Sequence, residues 1–313
     1  MNPPRNVHAR AAVLMLGSTL GFGLMAIFIR LASKTIPTWE VAFFRNSFGF
    51  LTLLPMLVLP ALRQPRPAAA FAASVRTDQL PRYVVRTAIG IASMFCGFWA
   101  IAHLPLAQAV SLAYSSPIFV TIAAILMLGE RVRARRWTAV ALGFLGVLVI
   151  VRPWSHAFSL GTLVAVAAAV MSALVAIQIK QLSQTEPADR IVLYTTLLWV
   201  PMSLVPALSV WEWPQGITWL WVIAAGVMGT GGHMLWTRAL KLGEVSALTP
   251  ISFMQLPVVA LFGWVLFDER LDRWTLLGAA IIFGANAYIA HREAVLSRRA
   301  ASEAATSAAK PGE

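Results

Sequence analysis

The apolar positions of this chain fall in long unbroken runs. They show neither the strict alternation of a half-buried strand nor the narrow stripe of a helix on a water-soluble core. A helix rises about 1.5 Å per residue, so about 20 apolar residues cross the roughly 30 Å hydrocarbon core of a bilayer. Ten runs are of this kind: Ala11–Ile29, Thr38–Leu62, Tyr83–Ala102, Leu106–Gly129, Trp137–Val151, Leu160–Ile179, Ile191–Val210, Ile217–Trp236, Val245–Phe267 and Trp274–Ala290. Arg30 and Lys34 stop the first, and only the turn His103-Leu104-Pro105 separates the third from the fourth. The pattern predicts an all-α integral membrane protein of ten spans.

Composition agrees. Of 313 residues, 58% are hydrophobic and 12% charged, against about 45–50% and about 25% in a soluble domain. That excludes an ordinary cytosolic enzyme and a disordered chain. The single Cys96 excludes an internal disulfide framework and a Cys-rich zinc site. Residues 1–10 read as a cytoplasmic N-terminus. The first run has Arg5 and Arg10 before it, like a signal peptide, but its apolar stretch is long and Lys34 and Pro37 follow it, so it reads as a retained helix. Residues 292–313 are rich in Ala and Ser with mixed charges, and predict a disordered cytoplasmic tail.

The net charge of +12 changes meaning once the charges are placed. With the N-terminus inside, 18 of the 25 Lys and Arg lie on the cytoplasmic side and five outside, with Arg45 and Arg86 within spans. The basic excess is therefore a topology signal and not a nucleic-acid surface. Trp39, Trp99, Trp154, Trp211, Trp213, Trp219, Trp221, Trp264 and Trp274 fall near the outer interface, and Trp137 and Trp236 near the inner one, as an aromatic belt does. Trp199 lies near mid-membrane.

The chain repeats itself. Ile29-Arg30-Leu31-Ala32-Ser33-Lys34-Thr35-Ile36-Pro37 matches Ile179-Lys180-Gln181-Leu182-Ser183-Gln184-Thr185-Glu186-Pro187 at an offset of 150. Leu128-Gly129-Glu130-Arg131-Val132 matches Phe267-Asp268-Glu269-Arg270-Leu271; Pro117 and Pro257 precede these pairs, and Trp137 and Trp274 follow. The halves are residues 11–152 and 159–291, five spans each. Five is odd, so the second half enters upside down, and inverted repeats place a binding site near the midplane where they meet. Ten spans whose halves each end in Pro…(Gly/Asp)-Glu-Arg…Trp…Gly resemble the drug/metabolite transporter superfamily, EamA type, over residues 11–291. The resemblance implies a basket of helices around a central cavity and both termini in the cytoplasm. It also implies a small organic substrate: aromatic amino acids leaving the cell, or riboflavin or S-adenosylmethionine entering it. One departure is Asp268-Glu269, where the family commonly has Gly-Glu.

Polar groups at membrane depth are the candidates for substrate contact. Arg45 and Asn46 lie about 10 Å inside the second span. Arg45 either faces a cavity and meets a substrate carboxylate or phosphate, or is structural and snorkels or bonds carbonyls. Asn46 either meets ligand or cross-links helices. Arg86, four residues after Arg82, is better explained by snorkelling to the cytoplasmic face. Glu130 and Glu269, each beside an Arg, read as interfacial caps with local ion pairs. His233 either contacts substrate and carries a proton or is a buried neutral histidine bonded to another helix. Tyr114, Ser115 and Ser116 precede Pro117, and Thr249, Pro250, Ser252 and Gln255 precede Pro257; a proline frees a carbonyl on the turn before it, and the two clusters occupy equivalent places. Trp99, Trp199, Trp236, Phe95 and Phe253 offer an apolar wall for a planar ligand, with interface or packing as the plain alternative. Glycines at 17, 21, 226, 229, 231 and 232 allow close helix approach.

No Walker-A loop, His-Glu-x-x-His, Gly-x-Ser-x-Gly or metal-ligand cluster occurs, so no ATP, metal or cofactor is expected. No Asp or Glu falls mid-span. The expectation is a secondary carrier in the cytoplasmic membrane working by alternating access. Amino-acid export is the first substrate and a planar metabolite such as riboflavin or S-adenosylmethionine the alternative; a lipid-handling protein or membrane enzyme is the rival of another class. Ten spans suffice for one cavity, so a monomer or weak homodimer is expected.

Overall fold

A computed structural model describes residues 5–62, 77–128, 134–155, 159–182, 184–186, 188–242, 251 and 254–308. Every regular element among them is helical: α1 (Arg5–Ala32), α2 (Thr38–Leu62), α3 (Leu80–His103), α4 (Leu106–Ala113), α5 (Ser116–Leu128), α6 (Ala134–Val151), α7 (Leu160–Leu182), α8 (Ala188–Leu208), α9 (Thr218–Leu242), α10 (Gln255–Phe267) and α11 (Arg273–Ala308). By length and apolarity alone, four described stretches can cross a membrane: Arg10–Ala32, Leu80–His103, Leu106–Met127 and Leu160–Ile179.

Prolines set the breaks. Leu104, ahead of Pro105, is extended at ψ 160°, because the ring that follows excludes the helical conformation. It ends α3 and turns the chain into α4. The fourth span, continuous in the sequence pattern, breaks at Tyr114–Ser115 into α4 and α5. Pro117 has no N–H to give Ala113, and Ser115 closes the turn on the Leu112 carbonyl at 3.0 Å. Pro81 instead sits in the first turn of α3, where a missing N–H costs nothing. α11 runs as helix to Ala308, past residue 292 where the sequence predicts an unstructured tail. The Ala, Glu and Arg of residues 293–305 are strong helix formers, and their propensity favours the helix there.

The packing has a two-fold logic. α1 packs against α9, and its counterpart α7 packs against α3. α2 lies on α9, as α8 lies on α3; α1 meets α10, as α7 meets α5. α2 with α8, and α6 with α11, pair element with counterpart. Glycine permits two of these approaches. A Cβ on Gly226 of α9 would sit 2.9 Å from the Arg45 carbonyl oxygen, and one on Gly278 of α11 would sit 2.6 Å from the Gly146 carbonyl oxygen.

Polar links tie the halves together at both ends of the bundle. At one, Arg30 pairs with Glu269 at 2.5 Å and Arg152 with Asp272 at 3.0 Å. At the other, Tyr83 stacks on Tyr194 at 4.7 Å and Thr77 donates to Glu186 Oε1 at 2.8 Å. Inside, Ile29, Val41, Phe44, Phe95 and Val222 form one apolar cluster and Leu112, Ile118, Ile150 and Ile282 another. Outside, Val13, Leu126, Leu160, Val205 and Trp264 stand in the open. An apolar exterior this extensive is what a lipid-facing surface requires.

Candidate substrate cavity

The polar interior begins at Arg45. Its Nη1 donates to Asn46 Oδ1 at 2.8 Å, its Nη2 lies 3.7 Å from the Met25 sulfur, and its guanidinium rides 5.8 Å above the Trp199 ring. Gly229 on α9 makes room for it: a Cβ there would come within 2.9 Å of Arg45 Nη2. Asn46, 1% exposed, donates to Ser203 Oγ at 3.3 Å and so joins α2 to α8. Of the two roles weighed from the sequence it takes the helix cross-link, and it also holds Arg45.

Trp199 is half-buried and faces Gly90 of α3, whose absent Cβ would lie 3.5 Å from Trp199 Nε1. Four residues along α3 is Arg86. It does not snorkel: it is 6% exposed and donates through Nη1 to Thr195 Oγ1 on α8. Gly90 and Arg86 share a helical face turned to α8, whereas Arg82, one turn earlier, is exposed. Arg86 is thus a further candidate, which the sequence argument left out. The available signal was its spacing of four from Gly90 on the inward stripe.

His233 lies one turn beyond Gly229 on α9. It is exposed and within electrostatic reach of both Arg45 and Arg86. Phe22 meets the imidazole edge-on at 6.0 Å and Trp236 lies 5.7 Å away. Arg45, Arg86, Trp199 and His233 thus lie in one polar region where α2, α3, α8 and α9 pack, the candidate crevice.

The other candidates go elsewhere. Tyr114 donates to Gln255 Oε1 at 3.0 Å, and its carbonyl accepts from Asn286 Nδ2 at 2.7 Å, a second polar group linking α4, α10 and α11. α1 touches both groups, with Met25 at Arg45 and Gly23 near Gln255. Ser115 is buried and spends its hydroxyl on the Leu112 carbonyl at 2.6 Å; Ser116 opens α5. Trp99 stacks on His103 at 4.2 Å beside Gly161, away from the crevice, and Phe95 packs on Trp39. Ser252, Thr249, Pro250, Phe253 and Glu130 lie outside the described residues.

Glu269 departs from the local pairing expected with Arg270. Asp268 ends α10 in the left-handed region at φ 55°, and the Glu269 N–H closes the turn on the Gly263 carbonyl at 3.0 Å. This aims Glu269 across the bundle, at Arg30 and at the Leu106 N–H, 2.7 Å away, where it caps α4. Arg30 also donates to the carbonyls of Ile101 and Leu104. A cavity of about 100 Å³ lined by Pro105, Gln108, Arg152, Glu269 and Thr275 opens beside this clasp, at the end of the bundle.

Residues 9–152 and 159–290 each match the EamA-like transporter family. A riboflavin transporter of Vibrio cholerae is 32% identical over 93% of this chain and 96% of that protein. The pseudopaline exporter CntI of Pseudomonas aeruginosa is 32% identical over 83% and 89%, and an S-adenosylmethionine uptake transporter of Rickettsia prowazekii is 25% identical over 82% and 84%. A protein of known crystal structure shares the fold, with a TM-score of 0.61 at 19% identity over 93% of this chain and 98% of that one. The chain belongs to the EamA-like transporter family: it is a multi-pass membrane transporter of small metabolites, not an enzyme.

Proposed function

We propose that this protein carries a planar heteroaromatic metabolite of the riboflavin class across the cytoplasmic membrane by alternating access. The observation that carries this is the Trp199 ring with the Arg45 guanidinium above it, 5.8 Å from its centroid, inside the bundle. A flat ligand gains apolar contact from such a ring, and its carbonyl edge gains hydrogen bonds from the guanidinium. Relatives named as riboflavin transporters, in Vibrio cholerae and in Brucella anthropi, support this reading over the amino-acid export placed first on sequence grounds.

The basic excess puts the Tyr83 end, and with it both chain termini, in the cytoplasm. The ion pairs Arg30–Glu269 and Arg152–Asp272 then close the outer end, and the Tyr83–Tyr194 stack closes the inner one. Each set must part in turn for a ligand to pass. The full chain works as a monomer or weak homodimer.

Proteoliposomes test the substrate. Riboflavin fluorescence should equilibrate across protein-containing vesicles faster than across empty ones, and faster than tryptophan or phenylalanine does. Transport of tryptophan with none of riboflavin reverses the assignment.

A further inference from the structure

Among the described residues, the candidate crevice holds two arginines and no carboxylate paired with them. Arg45 and Arg86 lie in its wall with His233 in electrostatic reach of both. Among the described residues, Arg30, Arg152 and Arg190 have carboxylate partners, at the ends of the bundle. Arg45 and Arg86 have only neutral neighbours, the Asn46 amide, the Met25 thioether and the Thr195 hydroxyl. The helices that form the wall carry Glu40 and Asp189 in their first turns and no other acid. Glu40 accepts the Glu212 N–H on Oε1 at 2.5 Å, its Oε2 is buried without a partner, and it pairs with neither arginine.

Donors are also left over. Arg45 Nε, Arg86 Nε and Trp199 Nε1 are buried and donate to nothing. Buried donors find acceptors in nearly all proteins, and a charged group inside a membrane marks a functional site unless it is paired. Had these arginines served the fold alone, a carboxylate or a backbone carbonyl would be their natural partner, as both are for Arg30.

We propose that this crevice selects its ligand by charge: Arg45, Arg86 and Trp199 Nε1 hold the acceptor-rich or anionic part of a planar molecule, and cations of the same size are rejected. The selection rests on the carrier function proposed above and narrows its substrate class. S-adenosylmethionine, with a sulfonium and an ammonium against a single carboxylate, carries net positive charge and brings the wrong overall sign to the two guanidiniums. Riboflavin brings two ring carbonyls and an acceptor nitrogen, and its 5′-phosphate adds full negative charge.

Thermal unfolding of the full chain in nanodiscs at pH 7 tests this with ligands of opposite charge, the indole pair also being matched in shape. Ligand bound to the folded state raises Tm by mass action. Indole-3-acetate should raise Tm and tryptamine should not; riboflavin 5′-phosphate should raise it and S-adenosylmethionine should not. Arg45→Gln and Arg86→Gln should each weaken apparent affinity for the anions tenfold or more. Stabilisation by either cation equal to that by its anionic counterpart overturns the proposal. So does the absence of a shift with both anions, or unchanged anion affinity in both variants. The unsubstituted chain alone decides the sign of selection, even where a variant fails to fold. Failure of riboflavin with a shift by indole-3-acetate removes the flavin assignment and leaves charge selection standing. Binding of riboflavin with rejection of both anions does the reverse.

Discussion

At the scale of the residue, the departure at Asp268 has a physical reason. The position is left-handed, at φ 55°, where glycine carries no steric cost and aspartate a moderate one. Asp268→Gly should therefore leave the fold intact and stabilise it by up to about 1 kcal/mol, read as a rise in the thermal midpoint in detergent; a lower midpoint would mean that the carboxylate itself is needed. Trp199 carries a second prediction. Trp199→Ala should weaken riboflavin binding about tenfold, the loss of roughly 1.4 kcal/mol of ring contact and cation–π attraction, while Trp199→Phe keeps most of it. Flavin fluorescence titration checks both, and equal affinities for the alanine and tryptophan forms would take the ring out of the site. Arg45 was legible in the sequence as a charge at membrane depth, yet its seat against Gly229 and Trp199 was not. Spacing within one helix says nothing of which neighbour faces it. Arg86 shows the converse, since four residues from an interfacial arginine it passes for a second snorkelling side chain until α8 is packed against it.

Elements are held apart or together by small groups. Gly226→Ala would drive a methyl to within 2.7 Å of the Phe48 Cβ and 2.9 Å of the Arg45 carbonyl. Both are rigid, so α2 and α9 must separate, at a cost of about 1–3 kcal/mol. The thermal midpoint should fall, and Arg45 with it should leave its place; an unshifted midpoint would show that the interface yields freely. Glu269→Gln removes the charge that joins α1, α4 and α10 at the Arg30 end. Leaving Arg30 without its carboxylate should cost about 1–3 kcal/mol. It should also favour the state open at that end. Thiol labelling of Ala260→Cys, beside the clasp, in a Cys96→Ala background should then quicken, and unchanged labelling would mean that the ion pair does not gate. Ten spans could be counted from hydropathy, but the division of the fourth into α4 and α5 could not. A proline in an apolar run marks where a break is possible, and tertiary packing decides whether it occurs.

Over the whole molecule, parity was readable from the sequence: five spans per repeat require opposed halves, and residues assigned to one face on that basis meet there, as Arg30 meets Glu269 and Tyr83 meets Tyr194. The proposal that the Tyr83 face is cytoplasmic rests on the basic excess. Reporter fusions that fold only in the cytoplasm should be active at both termini; activity at one terminus alone would break the parity. The convergence of Arg45, Arg86, Trp199 and His233 was not readable. It brings together four helices from both repeats, and no periodicity within a helix encodes a meeting between helices.

The packing pairs divide into two kinds under exchange of the repeats. Most swap identity, so that what α1 does with α9 in one state α7 does with α3 in its mirror. The contacts of α2 with α8 and of α6 with α11 map onto themselves, and the second is closed by Gly146 and Gly278. A joint that is its own image has no need to come apart, and it can serve as the stationary axle about which the remaining helices rock. A covalent staple across the α6–α11 joint should leave transport running, while the same staple between α1 and α9 should freeze the carrier in one posture.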